Sequence, residues 1–325
     1  MTKAINTIFL ERRFINAIKK SAYRGFDLLV YSTPPITFEK VIRFLKERDH
    51  CATYLLLKDI FPQNAVDIGL IKEGGYIYKR LRNKEKRLYA VSDRIGCMSQ
   101  ANVEYLLAHN PEIPPEKVHV NPNSIRPTPA DSIQPNKELL KKYGIPESSL
   151  KLIYGANLGK PQGIDFMLDV LKALSDQKNV FTLIVGDDTE YNKIAHFLEV
   201  EKISNARLVK SLPKDQYLAL LRTMDVGLIF LDHRFTIPNF PSRLLDYLDA
   251  SLPVIAATDP VTDVGLLLEK SGAGLRCESG SVNDFLACIN VMKDIQHRVL
   301  YGIAARELVA STFNAKRSAD IILKL

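Results

Sequence analysis

Two segments in the second half of the chain carry residue types suited to holding an anionic group. The first is Tyr154–Leu168, in which an apolar strand runs into a turn that contains Gly159 and Lys160 and then into a helix. Glycine lets the backbone approach a ligand closely, the N–H groups at a helix start attract anions, and a lysine adds a point charge. An ordinary glycine-rich turn between a strand and a helix would have the same composition, so both interpretations stay open.

The second segment is Arg234–Asp259. Asn239 and Ser242 precede a predicted helix and fit its N-cap and first turn. Arg243 follows in the first turn of the predicted helix, where a cation interacts unfavourably with the helix dipole. Asp246 lies three residues further on, on the same helix face. A diphosphate at the helix end with ribose hydroxyls on Asp246 would suit a nucleotide. The alternative is an Arg243–Asp246 surface ion pair, which would contribute little stability.

Asp59 is the only candidate for acid–base chemistry that the sequence suggests. It follows a predicted strand at Ala52–Leu57 and enters a loop. This position is compatible with substrate contact or with a general base. A helix N-cap or a plain loop carboxylate is an equally good interpretation.

A basic amphipathic helix is predicted over Lys72–Val91, with aromatic side chains among its cations. Such a helix can lie on an anionic membrane surface, whereas the alternative is a solvated basic face. No DNA or RNA motif accompanies it, so nucleic acid is not expected as a partner. The cations assigned to the membrane or acceptor side are Lys79, Arg80, Arg82, Lys86 and Arg87.

The net charge of +7 comes entirely from the first part of the chain. Residues 1–135 hold 21 Lys and Arg against 14 Asp and Glu, and the remainder holds 23 of each kind. This asymmetry predicts an anionic partner for the N-terminal part.

Cysteine and histidine spacing predicts neither a metal site nor another cofactor. The four cysteines are spread widely with no C-x-x-C pair, and we expect them to be reduced thiols. No apolar run reaches the ~18–20 residues that span a bilayer, and the first 20 residues lack the apolar centre of a signal peptide. A cytoplasmic protein is therefore expected.

Short apolar runs alternate with amphipathic stretches, which is typical of α/β folds with parallel sheets. We predict two Rossmann-like domains, at residues 1–135 and 136–310, and a final helix over 311–325 that can cross back to the first domain. The proline-rich segment Asn121–Pro135 reads as an extended linker, and the chain from Gln296 onward as wholly helical. In such folds ligands bind beyond the carboxyl ends of the strands, here in a cleft between the two domains. The strands are predicted at Asp27–Tyr31, Ala52–Leu57, Arg94–Met98, Lys117–Val120, Leu152–Gly155, Phe181–Val185, Asp225–Phe230, Pro253–Ala257 and Gly274–Cys277.

Several of these segments resemble a known family. The block NFPSRLLDYLDASLPVIAATD, Asn239–Asp259, is similar to the donor-binding signature of glycosyltransferase family 4, which has the GT-B fold, and YGANLGKPQG is similar to its other donor loop. The segments LLLKDIFPQNAVDIG, SDRIGCMSQANVEYLLAHNPEI and NPNSIRP resemble a subgroup from bacterial capsule and O-antigen clusters, akin to the L-fucosamine-type transferases. The resemblance extends from about Asp27 to the C-terminus.

The resemblance implies a nucleotide-sugar donor, with UDP favoured, held by the C-terminal domain. Lys160 and Arg243 would neutralise its diphosphate, and Asp246 would bind the ribose. Gly159 and Ser242 would contribute backbone contacts to phosphate. The cations and helix ends would replace a divalent metal in stabilising the leaving diphosphate.

The chain departs from the family pattern in two places. The family usually shows two glutamates eight positions apart, but here Asp246 occupies the second position and Pro238 the first. The family also opens with a strand and a glycine-rich loop, whereas this chain begins with a charged helix. We therefore expect the N-terminal domain to lack its first elements.

The leading hypothesis is a hexosyltransferase-type glycosyltransferase that acts at the cytoplasmic face of the plasma membrane as a peripheral protein. It would move a sugar from a nucleotide diphosphate to a lipid-linked saccharide in capsule or O-antigen biosynthesis. Two alternatives are a non-catalytic partner subunit of another glycosyltransferase and a GT-B sugar-nucleotide epimerase. The epimerase would need acid–base residues, for which only Asp59 is a candidate.

Overall fold

The computed structural model describes residues 2–129 and 136–324, without the side chains of residues 2–9. These residues form two compact units. The first unit consists of the described residues within 1–123, 236–240 and 318–325. The second consists of those within 124–235 and 241–317.

The first unit is built on a sheet of four parallel strands. In sheet order these are β1 (Leu28–Ser32), β2 (Ala52–Leu57), β3 (Arg94–Cys97) and β4 (Val118–Val120). A long helix, α1 (Thr2–Lys20), precedes the sheet, and a 3₁₀ turn (Ile36–Phe38) follows β1. The remaining helices are α2 (Glu39–Asp49), α3 (Gln63–Asp67), α4 (Tyr76–Val91) and α5 (Gln100–His109).

The core of this unit forms where the apolar sides of the strands meet the helices. Leu55 and Ile95 are fully buried on neighbouring strands, and Leu88 of α4 and Leu106 of α5 pack into the same cluster. The helix predicted from Lys72 begins four residues later, because Gly74 adopts a φ of +67° that a helix does not contain.

The second unit contains six parallel strands in the order β10-β9-β8-β5-β6-β7. Along the chain these are β5 (Leu150–Asn157), β6 (Val180–Asp187), β7 (Ala206–Val209), β8 (Val226–Phe230), β9 (Val254–Thr258) and β10 (Gly274–Glu278). Helix α6 (Lys137–Tyr143) precedes these strands, and the helices between them are α7 (Ile164–Leu174), α8 (Tyr191–Val200), α9 (Lys214–Leu221), α10 (Arg243–Asp249) and α11 (Val264–Ser271). After the last strand follow α12 (Val282–Met292), α13 (Ile295–Ser311) and α14 (Ala315–Ile322).

The central strands explain the near-continuous apolar runs of the sequence. Every residue of β8 and β9 is buried, because helices cover both faces of a parallel sheet. All the predicted strands are present, and no strand end is shifted by more than two residues. Strand β7, Ala206–Val209, was not predicted; its residues are only partly buried, so it lacks the apolar signature of the inner strands.

The C-terminal region is not wholly helical as predicted. Helix α13 ends at Ser311 and α14 begins at Ala315. Between them, the N–H of Ile125 donates to the carbonyl of Phe313, and the N–H of Ala315 donates to the carbonyl of Ile125. The helix is broken because these backbone groups pair with another segment instead of with their own turn.

From Ser124 to Pro129, the proline-rich segment is part of the second unit. Besides the pairing of Ile125, the N–H and the hydroxyl of Thr128 both donate to the carboxylate of Asp249. Arg306 also donates to that carboxylate and to the carbonyl of Thr128. Residues 130–135 of the predicted linker lie outside the described part of the chain.

Among the residues that the structure describes, no helix is both long and apolar enough to cross a membrane.

Candidate functional site

Two glycines, one within β5 and one at the start of α7, lie close to neighbouring atoms. Gly163 has a φ of +56°, and a Cβ there would lie 2.8 Å from the carbonyl oxygen of Leu231. At Gly155, within β5, a Cβ would collide with the hydroxyl of Tyr217. The close packing on either side of the turn between β5 and α7 therefore depends on glycine at these two positions.

Lys160 lies in this turn without a partner. Gly159 is buried and precedes the 3₁₀ turn Lys160–Gln162, whereas Lys160 itself is exposed. Its ammonium forms no hydrogen bond or ion pair with any residue that the structure describes. No described side chain caps the N-terminus of α7, which starts at Ile164. A cation and the N–H groups of a helix start are therefore available in one turn.

Arg243, the first residue of α10, reaches this same turn. Its Nη2 donates to the side-chain oxygen of Gln162, and its guanidinium carbon lies 5.0 Å from the ring centre of Tyr154. Its Nη1 is buried and has no hydrogen-bond partner among the residues that the structure describes. A buried cationic donor without a partner is unfavourable, so this arrangement calls for an anionic acceptor.

Two buried tyrosines support the arginine. Tyr154 lies beneath the guanidinium, where a face-on ring stabilises a cation, and burial raises the pKa of its hydroxyl. Tyr247, one turn after Arg243 on α10, accepts a hydrogen bond of 2.9 Å from the N–H of Gly155. Burial raises the pKa of Tyr247 to about 12, so it is a neutral anchor that ties α10 to β5.

Asp246 does not pair with Arg243, so the interpretation of the two as a surface ion pair is wrong. Its carboxylate is half-buried and accepts no hydrogen bond from any described residue. Burial raises the pKa of Asp246, and the charge of Lys214 opposes this change. The carboxylate is thus open to hydroxyl donors one turn along α10 from the arginine.

Ser242 stands at the N-cap position of α10, as predicted, but its side chain does not cap the helix among the described residues. The N–H of Leu244 donates to Pro241 and that of Leu245 to Ser242, so the helix starts as a tight 3₁₀ turn that already includes Ser242. Ser242 has helical backbone angles, and its exposed hydroxyl caps nothing among the described residues. Asn239 belongs to the segment 236–240 of the first unit and has interactions of its own.

The segment 236–240 is fastened to the first unit by side chains. The carboxylate of Asp67 accepts from the N–H and the hydroxyl of Thr236. The side-chain amide of Asn102 donates to the carbonyl of Pro238 at 2.8 Å. At Pro238, the position for which the family resemblance predicts a glutamate, the backbone carbonyl accepts this hydrogen bond and the side chain has no group that could do so.

Asp59 lies in the first unit, in the loop after β2. The backbone N–H of Asp59 donates to the hydroxyl oxygen of Thr33, and the same hydroxyl donates to the backbone carbonyl of Asp59. The carboxylate is half-buried and has no partner among the described residues, and burial raises its pKa, opposed by Lys58. The structure thus places no second acid–base group of the described chain in contact with this carboxylate.

The five cations assigned to α4 divide into two groups. Lys79, Arg80, Lys86 and Arg87 are exposed. Arg82 is turned inward, where it donates to Glu85, to the carbonyl of His109 and to the side chain of Asn110. Its assignment to a membrane or acceptor surface is therefore corrected: it joins α4 to the end of α5.

Sequence reasoning missed Gln162, Tyr154 and Tyr247. Gln162 precedes the glycine at which the turn meets α7, and Tyr154 ends an apolar strand, so both looked like structural residues. Tyr247 is placed one turn after Arg243, which is a usable signal once the cation is suspected. No described cluster of His, Cys, Asp and Glu could hold a metal ion.

A family model described as "Glycosyl transferases group 1" matches residues 135–306, which is more than half of the chain and contains the whole cluster around Arg243. The chain belongs to this family. It is accordingly a glycosyltransferase, and the prediction of a transferase enzyme is confirmed.

The relatives of this group 1 transferase extend the comparison to both units. A protein called "Probable glycosyltransferase WbjE" from Pseudomonas aeruginosa is 22% identical over 301 residues, which are 91% of this chain and 72% of that one. Sucrose-phosphate synthase from Thermosynechococcus elongatus matches with a TM-score of 0.76 at 14% identity, over 98% of this chain and 77% of that one. HepE from Anabaena, solved in complex with UDP-glucose, matches with a TM-score of 0.73 at 16% identity, over 97% and 81%. The predicted GT-B fold is thereby confirmed.

Proposed function

We propose that this glycosyltransferase uses a UDP-sugar as donor and a lipid-linked saccharide as acceptor, in the synthesis of a bacterial surface polysaccharide. The donor part of the proposal rests on the second unit, and the acceptor part on the first. Each part is argued and tested on its own.

The unpaired buried Nη1 of Arg243 is the observation that carries the donor proposal. One side of the guanidinium is fixed by Gln162 and its face by Tyr154, so the remaining donor has a defined direction. A diphosphate oxygen is an acceptor to which an arginine donates a strong, charge-assisted hydrogen bond. Lys160 in the facing turn supplies a second charge, and the start of α7 supplies backbone donors.

The chemical role of these groups follows from the charge that develops in the reaction. When the bond between the sugar and the diphosphate breaks, negative charge accumulates on the leaving diphosphate. Arg243 and Lys160 would stabilise that charge, as preorganised arginine and lysine side chains do around phosphoryl groups in other enzymes. We expect no metal ion to be needed for this step.

Asp246 is proposed to hold the ribose. Its carboxylate accepts no hydrogen bond within the described chain and lies one helical turn from Arg243. In every nucleoside diphosphate the ribose is joined to the diphosphate through its 5′ oxygen, so a carboxylate acceptor one helical turn from the phosphate-binding arginine suits the two ribose hydroxyls. UDP is favoured as the nucleotide because the similar HepE structures contain UDP or UDP-glucose.

Calorimetry with UDP, GDP and the variant Arg243→Ala tests the donor proposal. We expect UDP to bind the wild-type protein more tightly than GDP, and Arg243→Ala to weaken UDP binding about tenfold or more. Lys178→Ala is the matched control, because Lys178 is an exposed cation of the second unit remote in sequence from the cluster. If neither nucleotide binds below millimolar concentration, the donor proposal fails.

The acceptor proposal rests on the basic surface of the first unit. α4 presents Lys79, Arg80, Lys86 and Arg87 to solvent together with the exposed apolar side chains of Tyr76 and Ile77. Cations next to exposed apolar groups suit the headgroup region of an anionic membrane, the place where a lipid-linked acceptor is met. The name of the relative WbjE identifies it only as a probable glycosyltransferase, so the polysaccharide made is part of the proposal.

Vesicle sedimentation tests the membrane part. We expect the protein to bind vesicles that contain anionic lipid, at the cytoplasmic face in cells, and to be released as salt is raised, because exposed charges are screened. Removing the apolar pair in Tyr76→Ser with Ile77→Ser should weaken binding. Equal binding to neutral and anionic vesicles would contradict the proposal.

A further inference from the structure

The first unit contains a basic pocket that the donor proposal does not use. It has a volume of about 320 Å³ and lies where the 3₁₀ turn Ile36–Phe38 packs against α4, with α1 alongside. Four cations line it: Lys40, Arg80, Lys84 and Arg87.

Three of these cations share one face of α4. Arg80, Lys84 and Arg87 are spaced at i, i+4 and i+7, so their side chains stand above one another on successive turns. Like charges at this spacing destabilise a helix unless something neutralises them. None of the three forms a hydrogen bond or an ion pair with any residue whose side chain the structure describes.

The other cations of α4 differ in their pairing. Arg82 donates to Glu85, and Lys86 forms an ion pair of 3.0 Å with Glu112. Lys79 is exposed and has no side-chain partner among the described residues, but it does not line the pocket. Unpaired positive charge on α4 is therefore most concentrated at the pocket, where three such cations meet.

Both carboxylates beside the pocket are already in use. Glu39 accepts two hydrogen bonds from Arg43, at 2.8 Å and 2.6 Å. Glu11 of α1 accepts a hydrogen bond of 2.6 Å from the N–H of Lys40, in the first turn of α2. A carboxylate oxygen of Glu11 thus already accepts from one donor at the pocket, the backbone N–H of Lys40.

A hydroxyl at the pocket also lacks a partner. Thr37 lines the cavity, and its Oγ1 is buried with no hydrogen bond in the described structure. A buried hydroxyl is usually satisfied, so this one fits a ligand that accepts a hydrogen bond from it.

We infer that this pocket binds a phosphate group of a phosphomonoester or diphosphate, carried either by a lipid or by a soluble molecule. A phosphate offers several oxygens to Arg80, Lys84 and Arg87 at once, and one more to Thr37. The volume is at the lower end of small-molecule sites, enough for a phosphate with a small attached group. The inference does not depend on the donor site, whose residues all lie in the second unit.

Calorimetry with inorganic pyrophosphate, carried out in an Arg243→Ala background to weaken binding at the proposed donor site, tests the pocket. Arg80→Ala and Arg87→Ala should each weaken binding about tenfold or more. Lys79→Ala is the matched control, because Lys79 precedes Arg80 on the same helix and does not line the pocket. An equal loss in Lys79→Ala, or no loss in the two arginine variants, would overturn the inference.

Glu11→Gln provides a variant with the opposite expected sign. Removing the competing negative charge should tighten pyrophosphate binding several-fold, whereas weaker binding by this variant would count against the pocket. If the arginine variants do not fold, as judged by the absence of a cooperative unfolding transition, Lys84→Gln is used in their place. We expect it to weaken pyrophosphate binding by the same factor of about ten.

Vesicles distinguish the two sources of phosphate. Phosphatidic acid carries a phosphomonoester and phosphatidylglycerol a diester, so the two present anionic charge of different geometry. If the ligand is a lipid, vesicles with phosphatidic acid bind better than those with phosphatidylglycerol, and Arg87→Ala removes the difference. If it is soluble, pyrophosphate binds and the two vesicles do not differ. A third outcome would refute the pocket. In it, pyrophosphate does not bind, both kinds of vesicle bind, and Lys79→Ala weakens binding to the two kinds equally, which would show a general effect of charge.

Discussion

The guanidinium of Arg243 lies over the ring of Tyr154, with 5.0 Å between the guanidinium carbon and the ring centre. Tyr154 is the fifth residue of a buried strand and does not move independently of the sheet. The arginine is therefore preorganised before any ligand arrives, which lowers the entropy cost of binding.

Arg243→Lys should behave more like Arg243→Ala than like the wild type. Lysine keeps the positive charge but lacks the planar fork that contacts Gln162 and lies flat on Tyr154. We expect UDP affinity to fall about fivefold or more, measured by calorimetry. Retention of wild-type affinity would show that charge alone matters at this position.

Gln162 acts as a positioning residue, and two variants separate its roles. Gln162→Ala should weaken UDP binding about threefold to tenfold, because Arg243 loses its neutral acceptor. Gln162→Glu should weaken it further, since a carboxylate would pair with Arg243 and compete with phosphate. If Gln162→Glu bound UDP as tightly as the wild type, the arginine would not be the phosphate ligand.

Lys160→Ala should lower kcat/KM for sugar transfer by about 10²–10³, with a smaller effect on UDP binding. The reason is that its charge is worth most when the leaving diphosphate becomes more negative. The exposed Lys178 is the control, and Lys178→Ala should leave turnover unchanged. Steady-state assays with a UDP-sugar and acceptor would measure both, and equal rates for the two variants would contradict the role of Lys160.

Asp246→Asn should change stability and binding in opposite directions. Burial raises the pKa of Asp246 in the folded protein, so the folded state binds the proton more tightly than the unfolded chain does. Its contribution to stability is therefore full below the unfolded pKa and is lost as pH rises through the folded pKa. At neutral pH the amide variant should be more resistant to urea.

The same residue should control the pH dependence of UDP binding. The ribose needs the charged carboxylate, so affinity should fall as pH drops through a pKa above that of an ordinary aspartate. Asp246→Asn should bind UDP more weakly at neutral pH and lose this dependence. A wild-type profile that stays flat over the same interval would show that Asp246 does not contact the nucleotide.

Gly163→Ala should destabilise the second unit more than Gly280→Ala does. Both glycines have positive φ, +56° and +105°, so either substitution strains the backbone by about 1–3 kcal/mol. Only at Gly163 would the new methyl also collide with a carbonyl, that of Leu231. Urea unfolding should show the larger loss for Gly163→Ala; equal losses would mean that the turn relaxes away from Leu231.

The sequence was most informative where chemistry and periodicity coincide. Buried parallel strands such as Val226–Phe230 are predicted by their unbroken apolar runs. Arg243 is recognisable because a cation in the first turn of a helix is unfavourable to the helix dipole. The orientation of Arg243 could not be predicted, because it depends on Tyr154 and Gln162, which meet it only in three dimensions. The assignment of Arg82 to the surface is wrong for the same reason. The position of Arg82 on α4 does not reveal that Asn110, from another segment, accepts its hydrogen bond.

The binding of the proline-rich segment to Asp249 sets a limit on how the second unit can be produced alone. The family match begins at residue 135, yet Ile125 and Thr128 supply hydrogen bonds to that unit. A shortened chain that starts at residue 136 would leave the buried carboxylate of Asp249 with Arg306 alone and expose the break between α13 and α14. For isotope labelling or crystallisation of the second unit, the first residue should therefore be Ser124 or earlier.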